Sequence, residues 1–426
     1  MSLKRILAAA AVVIASLVSA GVAQPAFAAA TPAAGSLDPG FGAGGKVLTN
    51  LGTGANGQQI QAAPSDAVLQ SNGDIVVSGT FGLVRYLPNG ALDTGFGAGG
   101  RAATGFPVAA VNLQPNGEIV AVGTGQGNTA SAGTFNVDRF TASGALDPAF
   151  GAGGTVTTTF PQTALGVGAT TVLAEPDGNI LVGGAAGAPG HDNTVVNNGA
   201  LALYNPNGTL DQAFGTGGLV FSSHGGQPPL LGVDAAGDIF ETNGVELSPT
   251  GQPFASAMPA TIVATSAGGT GVSVAGLRGR AFLPNAQVVD GLAVTTGRRE
   301  TSVQAEMFNA DGTIDTAFFN PAFTFSGTPS SPGAIPAAVA VQANGQIVVA
   351  GTQSAGSTSV FGVARLNASG SLDTAFGTGG VLATSFQGND HAVAVLIQPS
   401  NGDIIVIGQS VNSAGVTDLA LARYLG

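Results

Sequence analysis

The sequence predicts an all-β chain: a single seven-bladed β-propeller of four-stranded blades, its ring closed by an N-terminal strand that joins the C-terminal blade. Three observations predict it. Gly (68) and Pro (23) make up about a fifth of the 426 residues and are spread along the whole chain. No long helix survives that density, because Gly costs roughly 1 kcal/mol and Pro roughly 3 inside one. A short motif recurs through the chain, and the two chain ends complement one another. With 44% apolar residues the chain is not a low-complexity disordered one, so short strands joined by many turns fit best.

The recurring motif is Leu37-Asp38-Pro39-Gly40-Phe41-Gly42. It returns at Leu92 to Gly97, Leu146 to Gly151, Leu210 to Gly215 and Leu372 to Gly377, and more weakly at Ile314 to Phe319. A decayed copy near Ser248-Pro249-Thr250-Gly251 brings the copies to seven, at about 56 residues per unit over residues 37–426. The Phe is expected to bury between neighbouring sheets, and the Asp to bond backbone amides of its own turn.

A second motif, Asn72-Gly73-Asp74-Ile75, recurs at Asn116, Asp177, Asn344 and Asn401, with weaker members at Ala236 and Asn285. Apolar, β-branched segments flank it, so each copy reads as a tight hairpin, expected to use a two-residue type I′ turn. One unit then holds strands at residues 67–70, 74–79, 82–87 and 101–104. The chain finishes at Leu421-Ala422-Arg423-Tyr424-Leu425, which matches the third strand, Leu83 to Leu87. The missing continuation stands at Leu37 to Leu48, so the N-terminal segment supplies the outer strand of the last blade and leaves no open sheet edge in the ring.

The Leu-Asp-x-x-Phe-Gly-x-Gly-Gly and Asn-Gly-Asp-Ile-Val-Val-x-Gly units resemble the delta-60 repeat, a propeller-type repeat of uncharacterised, often exported bacterial proteins. The resemblance covers nearly all of the chain after residue 36 and departs most around Val245 to Asn285. It implies the fold and carries no catalytic residues.

Residues 1–28 read as a signal peptide: Lys4-Arg5, an uncharged apolar run from Ile6 to Ala20, and small residues around Ala26-Phe27-Ala28. Residues 29–36 form a short linker and 37–426 the propeller. Export by general secretion to the medium or cell envelope follows, with no membrane span once the signal is removed. A net charge of −12 argues against nucleic acid. The absence of Cys excludes disulfides and thiolate chemistry. Gly95 to Gly100 fits G-x-G-x-x-G, but a strand follows it and not a helix. Gly40 to Lys46 lacks the hydroxyl residue of a phosphate loop, since Val47 stands there.

Arg85, Arg139, Arg365 and Arg423 hold one place in four units. Local pairing beside the turn is the favoured reading, ahead of a ring of cations for an anion. The recurring turns fall on one face and the variable loops on the other. That second face carries the ligand-site candidates His191, Asp192, His224, Arg298, Arg299, Glu300, Asp390 and His391, with Asp390, His391 and Arg298 expected to converge on the channel mouth. No catalytic constellation, metal site or cofactor is assigned.

The expected function is a secreted, monomeric, non-catalytic binding or scaffold module for an extracellular carbohydrate or protein. Two alternatives remain: a small-molecule lyase or hydrolase with its site at the channel mouth, and a cell-envelope adhesion or structural protein.

Overall fold

The computed structural model describes residues 33–54, 57–126, 133–160, 165–189, 195–222, 231–233, 239–241, 246–252, 292–296, 303–307, 317–318, 323, 325 and 334–426. Strand follows strand through these residues, with no helix among them. The first strand, β1 (Lys46–Thr49), belongs to the last sheet. Sheet 1 is β2 (Pro64–Leu69), β3 (Ile75–Gly79), β4 (Gly82–Tyr86) and β5 (Arg101–Ala102). Sheet 2 is β6 (Val108–Leu113), β7 (Ile119–Gln126), β8 (Gly133–Phe140) and β9 (Thr155–Thr158). Sheet 3 is β10 (Leu165–Ala174), β11 (Ile180–Pro189), β12 (Val195–Tyr204) and β13 (Leu219–Ser222).

Two shorter sheets follow. Sheet 4 holds β14 (Leu231–Val233), β15 (Ile239–Glu241) and β16 (Glu246–Leu247), and sheet 5 holds β17 (Leu292–Thr296) and β18 (Val303–Met307). Sheet 6 is β19 (Ala334–Val341), β20 (Ile347–Ala355), β21 (Thr358–Leu366) and β22 (Val381–Thr384). Sheet 7 is β23 (Asn389–Ile397), β24 (Ile404–Val411) and β25 (Thr417–Tyr424), completed by β1. Five sheets thus have four antiparallel strands; four follow the simple order of a meander, and sheet 7 does so through β23, β24 and β25 with β1 added at its edge. Residues 253–291, between sheets 4 and 5, lie outside the described residues.

The N-terminal strand takes the place its sequence predicts. Strand β1 pairs with β25, Lys46 opposite Ala422 and Thr49 opposite Leu419. Ahead of it, the Asp38 amide donates to the Arg423 carbonyl at 2.9 Å. Residues almost 400 apart in sequence therefore share one sheet.

First strands of successive sheets lie side by side: β19 with β23, β23 with β2, β2 with β6, and β6 with β10. Apolar layers fill the gaps between sheets. Phe41, Ile75, Val77, Ile405 and Ile407 lie between sheets 7 and 1. Phe96, Val76, Val108 and Ile119 lie between sheets 1 and 2, and Phe150, Val120 and Val182 between 2 and 3. The motif phenylalanines Phe41, Phe96, Phe150, Phe214 and Phe376 are all buried in such layers, as expected. Full burial of one such side chain is worth about 1.5–3 kcal/mol, so the repeat places its largest apolar group where each sheet meets the next.

Two turn features decide the blade geometry. In sheets 1, 2, 3 and 6 the hairpin after the first strand is a three-residue loop, and in sheet 7 a four-residue one between Gln398 and Asp403, not the two-residue turn expected. In sheet 1 the Gln70 amide donates to the Asp74 carbonyl and the Gly73 amide to the Gln70 carbonyl, both at 2.8 Å, with Gly73 at φ 88°. That is a type I turn followed by a left-handed Gly. Asn72 serves through its side chain, which accepts from the Asp74 amide at 3.1 Å.

The second feature is a bulge in every complete first strand, between Pro64 and Asp66, Val108 and Ala110, Ala169 and Thr171, Pro336 and Ala338, and Ala392 and Ala394. A bulge bends its strand and re-aims a side chain. The Gly ending the second motif faces this bend: a Cβ on Gly79 would strike the Ala63 carbonyl, and one on Gly408 the His391 carbonyl.

Candidate functional site

Each of the four motif arginines is a clamp. Arg139 Nε donates to Asp147 Oδ2 at 2.8 Å, its guanidinium lies 4.7 Å from the Phe150 ring centre, and Nη1 reaches the Pro206 carbonyl of sheet 3. Arg85 binds Asp93, stacks on Phe96 and reaches the Ala142 carbonyl of sheet 2. Arg423 does the same with Asp38, Phe41 and Pro88. Arg365 binds Asp373 at 2.8 Å over Phe376. The Asp turns its other oxygen to its own turn: Asp93 Oδ1 accepts from the Gly95 amide at 2.9 Å. The local pairing read from the sequence holds, and these cations are not gathered for an anion.

The clamp extends to a residue the sequence reading did not single out. In each complete sheet a Gln or Glu follows directly on the first strand: Gln70, Gln114, Glu175, Gln342 and Gln398. Gln114 accepts from Arg139 at 3.3 Å and donates from Nε2 to the Gly178 carbonyl of sheet 3 at 2.7 Å. Gln342 makes the matching bond to Gly402 of sheet 7, also at 2.7 Å. These carboxamides tie one sheet to the hairpin of the next.

Around sheet 1 the tie is missing, and a cavity of about 770 Å³ is found there. It runs along the first strands of sheets 7, 1 and 2 towards the recurring turns, and its walls include Asp66, Gln70, Asn112, Gln398 and Pro88. Asp66 stands directly after the bulge of β2, opposite Ser78. The matching positions hold Ala110, Thr171, Ala338 and Ala394. Asn112 of β6 likewise stands where the other complete sheets have Val68, Leu173, Ala340 and Leu396. Two neighbouring strands therefore each put a polar residue, at a position that is mainly apolar in the other complete sheets, into the wall of the same cavity.

Asp66 Oδ1 accepts from the Ala67 amide at 2.8 Å and Oδ2 from the Val111 amide of sheet 2 at 3.1 Å. Desolvation nonetheless dominates these bonds, and the carboxyl is pushed up to about 6. Each oxygen retains a lone pair beyond its amide bond. Such an acid is poised to give or take a proton near neutral pH.

A second carboxyl is raised for a different reason. In sheet 3 the arginine position is Leu203 and the glutamine position Glu175. Burial, then the charge of Asp177 and also that of Asp211, push Glu175 up to about 7.

Of the candidates read from the sequence, Asp390 and His391 are described. They stand at the far end of β23 from Gln398. Asp390 is fully buried, its Oδ2 accepting from the Phe386 amide at 2.8 Å, and burial raises its carboxyl. His391 is exposed. His191, Asp192, His224, Arg298, Arg299 and Glu300 lie outside the described residues. Among the described residues no group of three or more His, Asp or Glu side chains could hold a metal, and no helix is long and apolar enough to cross a membrane.

Meander sheets set side by side, with repeated hairpins and clamps, place the chain among propeller-type repeat proteins. Residues 70–96, 114–150, 175–214, 342–376 and 400–425 match a family described as a domain of unknown function (DUF5122) beta-propeller. No curated protein matches the chain. Among solved structures, the chain is similar to the GH93 α-L-arabinofuranosidase of Fusarium graminearum, at 9% identity and TM-score 0.43, over 89% of this chain and 97% of that one. It is also similar to a gluconolactonase of Xanthomonas campestris, at 14% and 0.35 over 92% and 99%. A third is the calcium-binding protein regucalcin of Agrobacterium tumefaciens, at 10% and 0.37 over 86% and 92%. The expectation of a non-catalytic binding or scaffold module is corrected here: a gluconolactonase and an arabinofuranosidase stand among these neighbours. At these identities the likeness concerns the fold and selects no substrate.

Proposed function

We propose that the chain is an exported small-molecule hydrolase or lyase, built as a closed seven-bladed propeller of delta-60-type repeats, with its site in the cavity beside sheet 1. The observation that carries this reading is Asp66: a carboxyl raised to about 6, in a cavity, at a position filled by Ala or Thr in the other complete sheets. General acid–base catalysis is most efficient when the group's pKa lies near the working pH. Ionised Asp66 would take a proton from an attacking water, or from a carbon acid in an elimination, and return it to the departing oxygen. The pairing of β1 with β25 supports ring closure, and Lys4-Arg5 with the apolar run supports export.

The test is turnover of neutral lactones, aryl glycosides and hydroxy-acid esters by the purified mature chain and by Asp66→Asn. The reading expects turnover that rises through a pKa near 6 and falls by about 10²–10⁴-fold in the variant. No turnover of any of them, or equal turnover by the variant, would sink it.

A further inference from the structure

Gln70 and Gln398 are buried, at 8% and 7% exposure, and both line the cavity. Each carboxamide oxygen faces an arginine: Arg85 Nη1 donates to Gln70 Oε1 at 3.1 Å and Arg423 Nη1 to Gln398 Oε1 at 3.5 Å. Arginine only donates, so the atom facing it is the oxygen and the –NH₂ group must point elsewhere. In Gln114 and Gln342 that group reaches the next hairpin glycine. Neither Gln70 nor Gln398 makes this bond to Gly117 or Gly73, and neither –NH₂ donates to any other group among the described residues. Both –NH₂ groups therefore keep their donors for an occupant of the cavity, whose wall also carries the Asp66 carboxylate as an acceptor.

We propose that this cavity takes a neutral polyhydroxylated small molecule, a saccharide or its lactone, held by the Gln70 and Gln398 amides and the Asp66 carboxylate. The proposal rests on the reading of this cavity as the functional site and adds the substrate class. A hydroxyl group both accepts and donates, so vicinal hydroxyls satisfy amide donors and carboxylate together. An anionic ligand would meet the charge of Asp66 without a free cation to offset it, because Arg85 and Arg423 are paired with Asp93 and Asp38. An ammonium ligand would satisfy Asp66 and leave both amides without an acceptor.

Binding is measured on the mature chain by calorimetry and by the ¹⁵N side-chain amide resonances of Gln70 and Gln398. The probes are glucose, arabinose and sorbitol, with gluconate and spermidine as anion and cation. The proposal expects a neutral polyol to bind best and to shift both amide resonances. Gln70→Leu and Gln398→Leu should each weaken it by about tenfold, as one lost hydrogen bond does, while Gln114→Leu leaves it unchanged. Preference for either charged probe, unshifted amides, or equal binding by the leucine variants would overturn it. Polyol binding without turnover upholds this proposal and defeats the catalytic one. Turnover of a substrate without hydroxyls, with no polyol bound, does the reverse.

Discussion

The junction between sheets 2 and 3 and the junction between sheets 1 and 2 share most of their parts and differ in where a side chain ties one sheet to the next. Both have a motif Phe in the apolar layer, an Arg on its Asp, and an Arg Nη1 on a carbonyl of the next sheet. At the first, Gln114 closes the turn end onto Gly178 at 2.7 Å. At the second, Gln70 makes no such bond, and Asp66 bridges to Val111 deeper along the strand, in the wall of a cavity. The comparison teaches that the repeat supplies a standing means of sealing one blade to the next. A site arises where the seal is left open and polar residues are set behind it.

Breaking the clamp itself should have the largest effect. Arg139→Ala leaves Asp147 buried without its cation and is expected to cost about 3–5 kcal/mol, read from urea unfolding. A cost under 1 kcal/mol, the range of an exposed pair, would mean the clamp is ornamental.

Sheet 3 offers the next test, because Glu175 and Leu203 are natural departures from the tied form. The folded chain holds the Glu175 carboxyl at about 7 against an ordinary value of 4.5. The folded state therefore favours the protonated acid, and a penalty develops as pH rises from 4.5 to 7 and is complete above it. Glu175→Gln should then stabilise the chain at pH 8 by up to about 3 kcal/mol and change little at pH 4. Equal effects at both pH values would contradict the assignment.

The comparison is sharpened by the smallest change. Gln114→Leu strands the Gly178 carbonyl and should cost about 1–3 kcal/mol in unfolding experiments, whereas Gln70→Leu should cost less than about 1. Equal costs would show that the two junctions are sealed alike.

Much of the scaffold was legible in the residues. The Leu-Asp-x-x-Phe-Gly copies marked Phe41, Phe96, Phe150, Phe214 and Phe376, which are buried between sheets, and the match between Leu421 to Leu425 and Leu83 to Leu87 foretold the pairing of β1 with β25. The hairpin type was not legible, because Asn-Gly fits a two-residue turn as readily as a type I turn closed by a left-handed Gly. The site was less visible still. Attention to rare residues led to histidines and charged loop residues, most of which lie outside the described structure. Asp66 and Asn112 are ordinary residues whose meaning appears only when first strands are laid in register, where Ala, Thr, Val or Leu stands in the other sheets. The one-residue bulge in the first strand of every complete sheet hides that register from a reader of the sequence.

The most direct measurement is the titration of the Asp66 carboxyl itself, by ¹³C chemical shift in the mature chain, with Asp66→Asn to assign the resonance. The account expects a midpoint near 6, displaced when a neutral polyol binds. A midpoint close to 4, the value of an ordinary solvated carboxylate, would contradict it and leave the cavity without its acid.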